Sequence, residues 1–249
     1  MTSLYLYGIL PAPGPAALAI EGLDRQPVAI AQLDGFAFLY SPASQPKYLA
    51  SRRNLLAHER VLEEVMQQGW RTVLPLQFGM VVEDWQAVSD QLSCPHGAEL
   101  AGLLARLEGR REVSVKVFWD EEAELERLLA EQPVLRERRD ALVGRTLNMD
   151  EVIGIGQAIE AGMAGRRDAV IGAFRDALGE LAFATVENDP LMAGMIFNAA
   201  YLIPWEAEPE FGVRVETLDR RFEERLRIRY NNFTAPFNFA QLSPLEVRR

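Results

Sequence analysis

Two histidines, His58 and His96, and one cysteine, Cys94, are the residues of this chain best suited to hold a metal or relay a proton. Their spacing limits what they can do. A zinc site needs three or four ligands converging on one point, and an activated nucleophile needs a base within hydrogen-bond reach. His58-Glu59 opens like a helical HExxH motif, but Leu62 stands where the second histidine would face the metal one turn later. Cys94-Pro95-His96 sets a thiol near an imidazole, yet two ligands leave a zinc site incomplete, so a structural or exposed role is expected for both.

The remaining near-motifs fail on equally specific grounds. Gly154-Ile155-Gly156 has the opening glycines of a dinucleotide loop, but the next glycine is Gly162, too late for that fingerprint, and no strong strand leads in. Neither GxxxxGK[ST] nor GxSxG occurs. The acidic run Asp120, Glu121, Glu122, Glu124 and Glu126 lacks the glycine and loop of a calcium site and reads as a helix start, where negative charge complements the dipole. Arg225, Arg227 and Arg229 alternate along one segment; an anion site is one reading, and pairing with the surplus acids is the more economical one. No catalytic, cofactor or metal-binding residue is nominated. The chain is expected to act through protein–protein surfaces, without a cofactor.

Charge narrows the partners. With 36 acidic against 26 basic residues the chain carries −10, the opposite of what displaces counterions from phosphates, so nucleic acid and anionic lipid membranes are poor partners. Lys47 and Lys116 are the only lysines; arginine supplies the rest of the positive charge and suits planar pairing with carboxylates between elements. A lone cysteine excludes an intrachain disulfide and fits a reducing cytoplasm. Met1 to Leu10 has no basic-then-apolar signal pattern, and the longest apolar stretch, Leu191 to Pro204, is too short to span a bilayer and is broken by Asn198.

The elements that would carry a surface follow from periodicity. Ser3 to Leu10 predicts a strand ending at Pro11-Ala12-Pro13-Gly14-Pro15, and Asp34-Gly35 predicts a tight hairpin between Val28–Leu33 and Phe36–Tyr40. Ser51 to Gln68 predicts an amphipathic helix with Leu55, Leu56, Leu62, Val65 and Met66 on its apolar face. Thr72 to Val82 reads as one extended segment whose Pro75 belongs at an edge or bulge, followed by a helix over Asp84 to Leu107. Beyond Gly109, Glu112 to Trp119 alternates as a strand, Asp120 to Gln132 as a helix stopped by Pro133, and an uneven helical stretch with glycines at 144, 154, 156, 162, 165 and 172 runs to Leu178. Leu181–Glu187 and Met192–Ile203 form a second hairpin, Trp205–Arg221 is helical in its later part, and Glu224–Tyr230 is a last strand.

The fold class is therefore α+β, with antiparallel sheets and packed helices in two domains. Residues 111–230 follow the split βαβ order of a ferredoxin-like domain, and residues 1–110 form a modified relative. In residues 231–249 the aromatics Phe233, Phe237 and Phe239 are costly to expose together, so this tail is expected to pack on the body or on a partner.

Several of these segments, in order, resemble the gas vesicle protein F/L family. They are Tyr5-Leu6-Tyr7-Gly8-Ile9, His58-Glu59-Arg60-Val61-Leu62-Glu63, Val73-Leu74-Pro75-Leu76-Gln77-Phe78-Gly79 with Val81, Glu112 to Trp119, Leu226-Arg227-Ile228-Arg229-Tyr230, and Pro236-Phe237-Asn238-Phe239. Each is weak alone, but their collinearity spans almost the whole chain. Asn231-Asn232-Phe233-Thr234 departs from the pattern, which calls for a junction richer in glycine and proline.

The resemblance implies a minor structural or accessory protein of gas vesicles in the cytoplasm, not an enzyme, acting with the hydrophobic shell protein and other gas vesicle proteins in nucleation and assembly, and keeping the shell protein from aggregating. Such a helper needs an apolar contact patch on a body kept soluble by charge. The expected patch is the aromatic tail with the neighbouring edge: Pro75, Phe78, Phe233, Phe237 and Phe239. Self-association is compatible with this reading. The competing reading is a dimeric α+β protein that binds haem or a small molecule; haem would require His58 or His96 as axial ligand.

Overall fold

The structure, a computed structural model, describes residues 3–141, 149–223 and 225–242. It is a mixed helical and antiparallel-sheet fold, as the α+β class requires. The chain forms two compact units: Met1–Val113 with Tyr201–Glu208 and Asn231–Arg249, and Ser114–Ala200 with Pro209–Tyr230.

In the first unit, β1 (Leu4–Pro11), β2 (Ala29–Leu33) and β3 (Phe36–Pro42) pair in the order β2-β3-β1, with the short β4 (Leu74–Pro75) beyond β1 and β5 (Val81–Val82) also on β1. The β2–β3 hairpin turns on Asp34 (φ 50°) and Gly35 (φ 84°), the left-handed pair that a two-residue turn between twisted strands demands. β1 is central and buried from Tyr5 to Leu10, so its aromatic and aliphatic residues fill both faces. Gly8 is forced there, because a Cβ would lie 2.8 Å from Leu62 Cδ2 and 2.9 Å from the Leu74 carbonyl.

Helix α1 (Arg52–Gln67) starts at Ser51, whose hydroxyl accepts from Asn54 N. Its buried face is His58, Val61, Leu62, Val65 and Met66, an i, i+3, i+4, i+7, i+8 set. Leu55 and Leu56 do not join it, contrary to the sequence expectation; they are 42% and 52% exposed because the register places His58, one turn on, at the first core position. Thr72–Val82 is also not one extended segment. The chain pairs with β1 at Leu74–Pro75, leaves at Phe78-Gly79 (Gly79 φ 91°), and returns at Val81–Val82. Pro75 does occupy the edge, and Leu76 supplies the donor to Tyr7 O that proline lacks. Asp84 then caps a helical run of α2 (Trp85–Val88), a π-turn (Ser89–Ser93) and α3 (Cys94–Leu107).

The second sheet has the order β7-β8-β6-β9, where β6 is Arg110–Trp119, β7 Ala184–Glu187, β8 Met195–Pro204 and β9 Leu226–Thr234. With α4 (Glu121–Glu131), α5 (Pro133–Asp140), α6 (Met149–Gly179) and α7 (Glu208–Arg221), the chain order is strand, helices, strand, strand, helix, strand. The division between the units falls within β6, β8 and β9. Pro133 does not merely stop a helix; it stands at the first position of α5, where its missing N–H costs nothing.

The expected unevenness around the glycines is absent from α6, a continuous helix of 31 residues. Gly162 explains one of them: a Cβ there would meet Leu128 Cδ2 of α4 at 2.8 Å, so the glycine admits close helix contact. Gly144 and Glu224 lie outside the described residues. β9 runs four residues past Tyr230, so Asn231–Thr234 is strand rather than tail.

A candidate interaction surface around a buried aromatic core

The first unit is organised around Tyr5, Tyr7, Tyr48 and His58. Tyr5 lies 4.8 Å from Tyr7 and 5.1 Å from Tyr48 between ring centroids, and His58 is 2% exposed. The hydrogen bonds fix the histidine tautomer. Leu76 O can only accept, so His58 Nε2 donates to it at 3.1 Å; Nδ1 is then the acceptor and Tyr5 Oη donates to it at 2.9 Å, while Tyr5 Oη accepts from Gly79 N at 3.0 Å. Burial disfavours the imidazolium and pulls the His58 pKa down to about 4. A neutral imidazole with both nitrogens occupied ties α1 to β1 and the β4 loop, and offers no electron pair to haem iron. Tyr7 Oη, whose pKa burial raises, shares a 2.9 Å bond with Ser41 Oγ and accepts from Leu23 N at 2.9 Å.

The five expected contact residues all fall in this unit, at different depths. Phe78 and Phe237 flank His58 at 5.9 and 6.3 Å between centroids, and both are half-buried. Phe233, also half-buried, meets Trp205 edge-on at 6.1 Å and lies 5.2 Å from the Arg111 guanidinium carbon. Pro75 and Phe239 are buried. The tail is held by Glu112: its carboxylate accepts from Asn238 N at 2.9 Å and Asn238 Nδ2 at 2.7 Å, and Arg111 donates to Asn232 O. Burial pushes the Glu112 pKa up to about 7, against the two hydrogen bonds that favour its charged form.

The other candidates are tied into local structure. His96 Nδ1 is 3.0 Å from Glu99 Oε2 one turn away. Cys94 is exposed, with Sγ 3.3 Å from Ser89 Oγ. Asp34 accepts from Ser93 Oγ at 2.5 Å and Ser89 Oγ at 2.7 Å, bonds that hold its carboxyl below the ordinary range. In the second unit Asp120 does cap α4, accepting from Glu122 N and Ala123 N, but Glu124 is no surface charge. Its side chain is 2% exposed and bonded by Arg225 (2.6 and 2.8 Å) and Arg166 (3.0 and 3.1 Å). Burial alone would raise its pKa; the two guanidinium groups outweigh that and lower it. Arg227 and Arg229 lie over the Phe118 ring at 4.4 and 5.1 Å. Among the described residues no cluster of three His, Cys, Asp or Glu side chains is placed to hold a metal ion, and no helix is long and apolar enough to cross a membrane.

Sequence reasoning missed an exposed apolar group beside α1. Leu49, Leu55 and Leu56 are 79%, 42% and 52% exposed at the start of α1, where Asn54 Nδ2 bonds Leu49 O at 3.0 Å and fixes the approach. Part of the signal was available: Leu56 falls outside the i, i+3, i+4 series that ends at Met66, whereas Leu55 fits its spacing and is exposed because it lies in the first turn.

Fold and surface together define a two-unit α+β protein whose ionisable groups of unusual burial lock elements to one another. The profile of the gas vesicle synthesis protein GvpL/GvpF family matches residues 3–241, and the chain belongs to that family. It is 53% identical to gas vesicle protein F of Microcystis aeruginosa over 96% of this chain and 98% of that protein, and 53% identical to gas vesicle protein F of a Nostoc species over 97% and 99%. The crystal structure of GvpF from an Anabaena species superposes with a TM-score of 0.86 at 50% identity over 98% of both chains, and that from Microcystis aeruginosa with 0.85 at 52% over 97% and 100%. The chain thus has a gas vesicle-associated role, in a family of structural and accessory proteins rather than a known enzyme family.

Proposed function

We propose that this chain acts in nucleation and assembly of the gas vesicle shell, in the cytoplasm and at the vesicle, by binding the hydrophobic shell protein and limiting its aggregation. The observation that carries this reading is the exposed trio Leu49, Leu55 and Leu56, with the half-buried Phe78, Phe233 and Phe237 belonging to the same unit. Burying a fully exposed leucine contributes about 1.5–3 kcal/mol, and the part of these three still in water adds up to roughly two such side chains, enough to help hold a subunit whose own apolar face awaits polymerisation. Pro75 and Phe239 are buried in the same unit and present no exposed area to a partner in this state. The surplus of negative charge keeps such a complex dispersed.

The test is co-expression of the tagged full chain with the shell protein, reading the shell protein retained in the dispersed fraction and co-eluted. Leu49→Ser/Leu55→Ser should lose most of the co-eluted shell protein while keeping the wild-type melting temperature, and Phe237→Ala should lose part. Retention unchanged in all these variants would refute the reading.

A further inference from the structure

Beside the exposed leucines runs a groove of about 430 Å³ between the Glu21–Gln26 turn and the outer face of α1. On α1, Arg53 and Arg60 are two turns apart with Leu56 and Ala57 between them, so cation, apolar floor and cation share one helix face. Arg25 lines the groove from the turn. Arg25 and Arg53 meet no carboxylate among the described residues, which is unusual in a chain with ten more acids than bases. Arg60 is fixed at the rim by Glu64 at 3.3 Å and the Glu21 carbonyl at 3.4 Å. Two carboxylates also line the groove, Glu21 and Asp24, the latter accepting from Gln45 Nε2 at 3.3 Å, so the three arginines leave the lining with one positive charge in excess.

The turn is preorganised. Asp24 and Arg25 both hold left-handed φ values, 51° and 57°, which cost non-glycine residues energy unless their surroundings impose them. They are imposed: Gly22 N donates to Gln26 O at 2.8 Å, Gln26 N to Leu23 O at 3.0 Å, and Leu23 N to the buried Tyr7 Oη at 2.9 Å. Gly22 has no room for a side chain, since a Cβ would stand 2.0 Å from Tyr7 Oη. The aromatic core thereby fixes the turn from which Arg25 lines the groove that Arg53 also lines.

We propose that this groove binds a partner segment in which a carboxylate adjoins an apolar side chain: Arg25 and Arg53 take the carboxylate, and Leu56 and Ala57 take the apolar group. Charge complementarity selects an acidic peptide, and the apolar floor disfavours a bare inorganic anion. The inference deepens the reading above by giving the chemistry of the partner, and its test does not use the shell protein.

The probe is an N-acetylated, C-amidated peptide repeating Ala-Leu-Glu, titrated into the 15N-labelled full chain. Its counterpart with Gln for Glu and inorganic phosphate serve as controls. Amide shifts are expected at Leu23, Arg25, Arg53 and Leu56. Affinity should be about tenfold weaker for the Gln peptide, for Arg25→Asn/Arg53→Gln, and at high salt, one ion-pair contact's worth of discrimination. Asn is chosen at position 25 because it tolerates the left-handed backbone. Equal affinity for the two peptides, an unchanged titration in the arginine variant, shifts elsewhere, competition by phosphate alone, or no shift at millimolar peptide would each overturn the proposal. Leu49→Ser/Leu55→Ser should weaken shell-protein capture and leave this titration unchanged, which separates the two claims.

Discussion

His58 and Glu112 oppose each other in acid, and replacing either should tilt a curve that the pair keeps level. His58 has its pKa pulled from 6.5 to about 4, so its contribution is complete above pH 6.5 and is lost as pH falls towards 4. Glu112 has its pKa pushed from 4.5 to about 7, so its contribution is complete below pH 4.5 and is lost as pH rises towards 7. Each displacement is worth about 3 kcal/mol. Between pH 4.5 and 6.5 the folded state binds one proton fewer at His58 and one more at Glu112, so the two slopes, each about 1.4 kcal/mol per pH unit, cancel. Glu112→Gln removes the second term. Relative to wild type, its stability should therefore rise with pH by about 1.4 kcal/mol per unit over that interval. His58→Gln should tilt the other way by the same amount. The assay is urea unfolding followed by tryptophan fluorescence at half-unit pH steps, taking variant minus wild type so that every other carboxylate cancels. Difference curves that stay flat, or tilt in the same direction, would refute the assignment of these two groups.

Three further outcomes test the packing. Gly172→Ala, with nothing within 4 Å of the new Cβ, should raise the unfolding free energy by about 0.5–1 kcal/mol through helix propensity, whereas Gly162→Ala must displace buried Leu128 and should be about 1–2 kcal/mol less stable than Gly172→Ala; calorimetry of the pair decides. Glu124→Gln leaves Arg166 and Arg225 without their shared carboxylate and should cost about 3 kcal/mol, while Glu187→Gln, at the exposed Arg175 pair, should cost under about 1 kcal/mol; equal losses in denaturant titrations would contradict the burial argument. Tyr7→Phe removes the acceptor for Leu23 N, so amide exchange at Leu23 should accelerate well beyond that at Val61; unchanged exchange would show that the turn holds without the tyrosine.

The sequence disclosed most of the fold where local chemistry forces the backbone. Asp34-Gly35 announces its hairpin because a two-residue turn needs left-handed residues, and Val113, Val115 and Val117 announce β6 because alternate positions share a face. It misled where tertiary contact decides. The glycines of α6 look like helix breakers one residue at a time, yet Gly162 is the small residue that lets Leu128 approach. Nothing local to residues 154–172 encodes the position of a leucine on α4. Likewise Asn231–Thr234 has a weak strand pattern, and it becomes strand through pairing in the sheet and the anchoring of Asn238 by Glu112, 126 residues away.

The same division between local and distant causes governs the surface. Aromatic residues near the C-terminus suggested an exposed patch because burial could not be read from composition, but Glu112, Arg111 and the Tyr5–His58 core draw them inward. The leucines that stay outside read as core because Leu55 does fit the spacing of the buried stripe, and only the tertiary structure shows how little of α1's first turn is covered. An amphipathic helix that leaves two leucines part-exposed in its first turns accepts a cost in solvation that the fold does not recover. A contact outside the fold can recover it, as the proposed docking on α1's first turns would, together with the half-buried aromatics of the same unit.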